Sequence, residues 1–451
     1  MFKKFTNSCV KLVQNYLPDP FLFCIVLTFA IFIGGMIFTG QAPLAMVSHW
    51  GGGFWSLLAF SMQMALVLVL GNALATAPAI NKILVSLAKI PKKPTHAIML
   101  VTVVSAIACL INWGFGLVIG AIFAKEIAKQ VKGVDYRLLI ASAYSGFLLW
   151  HAGLSGSIPL TIASGGDAVV NATGGIIGAE GISTAFTIFS TTNMIIVLIL
   201  FVTLPLLNAA MHPSPDMVVA IDAKLLKDET PSNSIPTGKM TPAEKLENSV
   251  LVTLLISVLG FTYIILYFAD KGFNLTLDIV NFIFMFSGIL LHKTPRNYLN
   301  ALMGAAKGAG PVMLQFPFYA GIIGMMSGVN ADGVSLAGLI SNIFVNISTE
   351  VTFPALSFLS AGVVNFFVPS GGGQWAVQAP IMMPAGAELG VDAAKTAIAI
   401  AWGDAWTNML QPFWALPALG IAKLGAKDIM GYCIITLLYS GVIISLGLVL
   451  L

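Results

Sequence analysis

FFVPSGGGQWAVQAP, residues 366–380, lies in one of the most apolar parts of a very apolar chain, yet it carries two prolines and three consecutive glycines. These are the poorest helix formers available. Irregular backbone inside lipid leaves polar groups unpaired, so it survives there only where it lines a cavity or is buried in protein. Two questions follow: whether the chain around this break sits in a membrane, and what the break is for.

Composition answers the first. The chain has 451 residues, 57% hydrophobic and 9% charged, with a mean hydropathy of +0.92. A soluble domain carries about 25% charged residues. No soluble fold of this length could hide so much apolar surface, so the chain reads as an all-α polytopic membrane protein. The net charge of +3 is small and no basic cluster suits nucleic acid. Cys9, Cys24, Cys109 and Cys433 show no paired or metal-type spacing. The amino terminus, MFKKFTNSCVKLVQNYLPDP, is basic and mildly amphipathic, and the apolar run 21–38 after it reads as an uncleaved first span.

A spanning helix needs about 20 apolar residues. Nine segments qualify: 21–38, 55–77, 138–163, 184–210, 249–269, 275–291, 309–328, 393–418 and 430–451. Two more apolar regions, 97–131 and 351–388, are broken in the middle by NWGFG (112–116) and NFFVPSGGG (365–373). Basic residues decide how these two run. Lys82, Lys89, Lys92 and Lys93 precede the first region, and Lys125, Lys129, Lys132 and Arg137 close it. The positive-inside rule puts both groups in the cytoplasm, together with Lys3, Lys4 and Lys11. Region 97–131 therefore enters and leaves on one side, as a re-entrant hairpin. Region 351–388 has no basic residue, and both its ends fall outside. The expectation is about nine spanning helices plus two opposed re-entrant hairpins, with the amino terminus cytoplasmic.

The halves match in the order of their parts. GVD at 133–135 recurs at 390–392, Gly146 falls on Gly403, Asn112 on Asn365, and Gln63 on Gln315. Matched segments of opposite orientation are the inverted-repeat signature of secondary transporters. The expected division is an amino-terminal repeat 1–210 (hairpin 97–131, broken helix 138–163), a cytoplasmic linker 211–247, and a carboxy-terminal repeat 248–451 (hairpin 351–388, broken helix 393–418).

Glycine runs can turn successive N–H groups toward one anion, and a helix N-terminus adds positive partial charge. Ser370, Gly371, Gly372, Gly373 and Gln374 offer both, and Asn112, Gly114 and Gly116 do so more modestly; tight glycine packing between helices is the competing reading. With Asn365 beside them, the two tips are expected to meet near the midplane and hold a carboxylate. After each hairpin comes a span interrupted by polar residues, SGFLLWHAGLSGSIPLT (145–161) and AWGDAWTNMLQP (401–412). Pro159 and Pro412 predict unwinding nearby. Asp404 is the one acid deep in a predicted span and His151 the one histidine, and an ionisable group there is a functional candidate by default. Asp404, Thr407 and Asn408 are expected to couple an ion, Na⁺ or a proton. His151, Ser155 and Ser157 would form the opposite wall. Trp113, Trp150, Trp375, Trp402 and Trp406 would supply apolar walls for a short hydrocarbon tail. GFGLVIG (114–120) lacks the strand and acidic partner of a dinucleotide loop. A serine triad of His151, Ser155 and Asp404 would not explain two hairpins.

NYLPDPFLF (15–23), INWGFGLVIGA (111–121), SGFLLWHAGLSGSIPL (145–160), VPSGGGQWAVQAP (368–380) and WGDAWTNMLQPFW (402–414) together resemble the bacterial short-chain fatty acid transporter family, over nearly the whole chain. The resemblance implies an inner-membrane permease for butyrate, acetoacetate and similar monocarboxylates. It also implies kinship with the larger ion-transporter superfamily, whose members pair hairpins with broken helices, shift the site in an elevator-like motion, and often form homodimers. The expectation is thus a secondary active transporter coupled to H⁺ or Na⁺, needing no cofactor, in the bacterial inner membrane. A dicarboxylate transporter or exchanger is the nearest alternative, and a passive anion channel the alternative of another class.

Overall fold

A computed structural model describes residues 2–220, 240–272 and 276–451. Residues 221–239 of the expected linker lie outside the described residues. Every described element of regular structure is a helix; Val329 and Ser335 form an isolated bridge. Proline sits in the first turn of the helices beginning at Pro20, Pro43, Pro78, Pro94, Pro295 and Pro412, where its missing N–H has no intrahelical partner to lose.

Among the described residues, six helices are long and apolar enough to cross a membrane: Pro20–Thr39, Pro94–Ile111, Tyr136–Ser164 taken through its break, Thr191–Ala210, Val250–Lys271 and Ala426–Leu450. The count reaches seven if the pair Ser61–Thr76 and Pro78–Ala88, bent by 81°, is one span. Other expected spans are shorter or interrupted. Leu277–His292 has 16 residues, and region 393–418 divides into Ala393–Thr407 and Pro412–Ala422.

Both broken regions are antiparallel helical hairpins. In the first, Pro94–Ile111 and Trp113–Gln130 are separated by Asn112 alone. A side-chain carbon placed on Gly116 would come within 2.6 Å of the Cys109 amide nitrogen, and one on Gly120 within 2.7 Å of Ser105 Oγ. Gly116 thus lets the arms touch backbone to backbone next to the turn. In the second, Phe353–Phe367 and Gly371–Glu388 are braced by glutamines. Gln374 Nε2 donates to the Ala361 carbonyl (2.8 Å) and to Gln378 Oε1 (2.7 Å), and Gln378 Nε2 donates to Ser341 and Ser360.

The broken helices unwind just ahead of their prolines. The first runs as Tyr136–Ser145, tightens to a 3₁₀ stretch over Gly146–Ala152, and resumes as Ser157–Ser164. The second breaks between Thr407 and Pro412. Pro159 and Pro412 lie in the first turns of the resumed helices, so they open the second segments rather than disrupt the first. Each broken helix crosses its own hairpin at a glycine. A carbon on Gly146 would meet the Ala106 amide nitrogen at 2.6 Å, and one on Gly403 the Gly362 amide nitrogen at 2.9 Å.

The basic segments gather at one end. Tyr136 Oη donates to the Ala422 carbonyl (2.9 Å), Gly431 packs on Val10, and the Val219 N–H donates to Asp135 Oδ2 (2.8 Å). The base of the second hairpin lies elsewhere, with segment 164–190: Gly174 approaches Pro384, and Ile182, Phe186 and Phe189 line one cleft with Asp392. The bases of the two hairpins therefore pack against different segments of the chain.

Two predictions follow from this packing. Gly146→Ala and Gly403→Ala force a carbon against backbone that cannot rotate away, so each should cost about 1–3 kcal/mol and lower the melting temperature in detergent. Gly304→Ala, with nothing within 4 Å of the added carbon, should leave it unchanged or slightly higher. At the basic end, His212 Nδ1 donates to the Pro213 carbonyl (3.0 Å) and Nε2 accepts from the Asp135 N–H (3.4 Å). Burial holds its pKa below the usual 6.5. The unfolded chain then takes up this proton at a higher pH than the folded one, so stability falls as pH drops below about 6.5. His212→Gln should flatten that limb of a melting-temperature profile.

Candidate functional site: the meeting of two hairpin tips and two broken helices

The centre is built on Asn365, in the last turn of the helix Phe353–Phe367. Its Nδ2 donates to the Asp404 carbonyl (2.8 Å), Thr407 Oγ1 (3.0 Å) and Asn408 Oδ1 (2.7 Å). Thr407 Oγ1 in turn donates to the Gly362 carbonyl (2.8 Å), and Gln411 Nε2 to the Phe366 carbonyl (2.5 Å). The unwound end of the second broken helix is thereby tied to the second hairpin. The oxygens of Thr407 and Asn408, expected to face an ion, converge instead on the Asn365 amide.

Asp404 is fully buried. Its Oδ1 lies 3.2 Å from His151 Nδ1, within ion-pair reach, but the angle is too poor for a hydrogen bond and both carboxylate oxygens lack a hydrogen-bond partner. His151, also fully buried, accepts the Ile158 N–H on Nε2 at 3.0 Å. That bond assigns the neutral ring's proton to Nδ1, the nitrogen facing Asp404. The imidazole stacks on Trp150, ring centroids 4.0 Å apart.

Gly371 closes the arrangement from the other repeat. A carbon on it would stand 3.0 Å from His151 Cε1 and 3.1 Å from Ser157 Cβ. The helices Gly371–Glu388 and Ser157–Ser164 thus point their N-termini at one imidazole, and helix N-termini favour anions. At the start of Gly371–Glu388, Ser370 Oγ takes the Gly373 N–H (3.3 Å) and the Ser370 carbonyl takes the Gln374 N–H (2.7 Å). The N–H groups of Gly371 and Gly372 come first in the helix and have no intrahelical acceptor. A carbon on Gly372 would meet nothing within 4 Å.

The first tip is arranged differently. Asn112 Oδ1 caps Trp113–Gln130 by accepting the Phe115 N–H (3.0 Å), and Ser155 Oγ accepts the Trp113 N–H (3.0 Å). Gly114 packs toward Leu277 and Val67, and Gly116 onto Cys109. Ser155 thus secures this tip to the first broken helix. With Ser155 Oγ held by Trp113 and His151 Nε2 by Ile158, the two side chains engage different partners. Gln374 is likewise turned into its hairpin, though its Oε1, like Asn365 Oδ1, is buried without a partner.

The tryptophans divide. Trp113, Trp150 and Trp414 gather with Phe147, ring centroids 5.1–6.4 Å apart. Trp375 packs in a separate apolar cluster with Ile158 and Met383. Trp402 and Trp406 turn away: Trp402 Nε1 donates to Asn193 Oδ1 (3.0 Å) and Trp406 Nε1 to the Leu437 carbonyl (2.7 Å). Asn193 is a residue the sequence reading missed. Its Nδ2 also donates to the Ala152 carbonyl (3.2 Å), at the first break, and to the Ile188 carbonyl (2.7 Å). The signal was an amide alone on a face of the apolar run 191–207.

The full length of the chain, residues 1–451, matches the family described as short chain fatty acid transporter. The chain belongs to that family. Two curated relatives bear the name "Putative short-chain fatty acid transporter". The one from Escherichia coli (strain K12) is 46% identical over 450 residues, covering 100% of both chains. The one from Haemophilus influenzae (strain ATCC 51907 / DSM 11121 / KW20 / Rd) is 44% identical over 449 residues, covering 99% of both. Among solved structures, the YdaH transporter of Alcanivorax borkumensis aligns with 95% of this chain and 98% of its own, at 16% identity and a TM-score of 0.41.

Asn365→Asp tests the central tie. The isosteric change turns a donor facing three oxygens into an anion. It should destabilise the folded protein by about 3 kcal/mol or more, the scale of an uncompensated buried charge, and more than Asn365→Ala does. Thermal unfolding in detergent checks the order.

Proposed function

We propose that this member of the family moves butyrate, acetoacetate and similar short monocarboxylates across the bacterial inner membrane by secondary active transport coupled to H⁺ or Na⁺. The observation that carries the reading is the Asp404 carboxylate. It is fully buried, has no hydrogen-bond partner, and stands beside the imidazole on which two helix N-termini converge. A buried acid without hydrogen bonds is costly and suits a group that exchanges a cation during the cycle.

The substrate carboxylate is assigned to the Gly371 and Gly372 N–H groups, with Ser157 and Ser370 at the rim. Asp404 takes the coupling cation, alongside the free oxygen of Asn365. Thr407 and Asn408 would join it only if the Asn365 amide let go of them. Segments 145–164, 351–388 and 396–422 contain no Lys or Arg, which favours a monoanion over a dianion. Burying a three-carbon tail contributes about 2–2.5 kcal/mol, so the carboxylate contacts set orientation and selectivity. Affinity should be modest, roughly micromolar to millimolar, which lets the substrate leave quickly. Movement of the hairpins and broken helices past the remaining helices, in a homodimer with cytoplasmic amino termini, is the matching cycle.

Labelled butyrate uptake into proteoliposomes tests this reading, with an imposed Na⁺ or proton gradient and acetoacetate, succinate and citrate as competitors. Uptake driven by one gradient and blocked only by short monocarboxylates is expected. Succinate blocking equally well would favour the dicarboxylate reading, and flux far above carrier turnover a channel. Asp404→Asn should insert normally yet lose gradient-driven uptake; wild-type accumulation in that variant would remove Asp404 from the mechanism.

A further inference from the structure

The amino-terminal helix Phe2–Tyr16 takes no part in the site, and its residues divide into three faces. Thr6, Val10 and Val13 are buried, against the start of Ala426–Leu450, where a carbon on Gly431 would meet Val10 Cγ2 at 2.9 Å. Beside that face runs a second apolar one that none of the described residues covers. Phe2, Phe5, Leu12 and Tyr16 are 39%, 49%, 57% and 80% exposed, and half-buried Cys9 fills the interval. Their spacing of three and four residues makes a single ridge. Lys3, Lys4 and Lys11 are exposed away from the ridge, and the helix holds no Asp or Glu.

Connectivity fixes the level of this helix. It ends a short turn before Pro20–Thr39, where Asp19 caps the first span by accepting the Phe21 N–H (2.9 Å). It also packs on the opening turns of Ala426–Leu450, another span. Both spans begin at the end where the basic segments gather. A helix at that level, with an uncovered apolar ridge and only basic charge, has the form of an in-plane interfacial helix. Lysine stems reach past apolar surface while their ammonium groups stay among headgroups, and anionic headgroups attract them.

We propose that Phe2–Tyr16 is an anionic-lipid-binding surface, with its ridge sunk to the acyl-chain boundary and Lys3, Lys4 and Lys11 on anionic phosphates. The helix docks on Ala426–Leu450, which packs on both broken helices, while its tether leads to Pro20–Thr39, which packs on Gly310–Ser327. Lipid held here therefore bears on the contact between the site-forming helices and the rest.

Full-length protein in nanodiscs tests this independently of any transport assay. Nitroxide labels are placed at Leu12→Cys or Lys11→Cys in a Cys9→Ser background; the other three cysteines are buried. Accessibility to oxygen and to an aqueous nickel chelate is compared in phosphatidylcholine alone and mixed with phosphatidylglycerol. The oxygen-to-nickel ratio should be roughly threefold or more higher at position 12 than at 11. It should rise at position 12 when phosphatidylglycerol is added, and Lys3→Gln/Lys4→Gln/Lys11→Gln should abolish that rise. Equal water exposure at 11 and 12 would overturn the in-plane placement. A ratio at 12 indifferent to phosphatidylglycerol would overturn the anionic-lipid assignment.

Discussion

Inside so apolar a chain, a backbone group released where a helix breaks is costly unless the protein supplies it a partner, and the Asn365 amide is where that constraint concentrates. One NH₂ group donates to a backbone carbonyl, a hydroxyl and a side-chain amide oxygen from the last turn and C-cap of Ala393–Thr407. Removing water makes such bonds count for more and makes their absence costly. The second break can exist at that depth because Asn365 and Gln411 take up what the interruption releases. Asn193 does the same for the first break, holding the Ala152 carbonyl while accepting from Trp402 across the repeat boundary.

Asp404 stands apart among the buried groups near the break, because neither of its oxygens has a hydrogen-bond partner. Its carboxyl group is out of water, lies 3.2 Å from the Nδ1 of one buried imidazole, and has no hydrogen bond. The surrounding field comes from helix ends rather than from Lys or Arg. Dipoles fixed by backbone can attract an anion without holding it as tightly as a guanidinium would, which suits a carrier that must release what it binds.

The two halves of the chain each hold a helical hairpin followed by a broken helix, and these cross at glycines, Gly146 and Gly403. They differ where side chains meet. Asn112 sits in the turn of its hairpin and caps the following arm, whereas Asn365 sits inside its arm and reaches the broken helix. The first tip is secured by Ser155; the second keeps two N–H groups and open space at Gly372. Glycine supplies the close crossing in each half, and a difference of a few atoms leaves the two first N–H groups of Gly371–Glu388 without an intrahelical acceptor at the second tip.

Much of this was legible in the sequence because lipid allows so few choices. Long apolar runs must be helices, Lys and Arg mark one end, and glycine with proline at depth must mark a protein-lined break. The helical hairpins, the broken helices and the burial of Asp404 and His151 follow from those rules. What the sequence could not supply was direction. It did not distinguish Gly371, which faces His151, from Gly116, which closes a hairpin, or Trp150 from Trp402. It did not show that the oxygens of Thr407 and Asn408 accept from Asn365. Composition and spacing report which groups lie at a given depth. Only packing in three dimensions decides which way each points, because a buried polar group turns to whichever partner the neighbouring helices bring within about 3 Å.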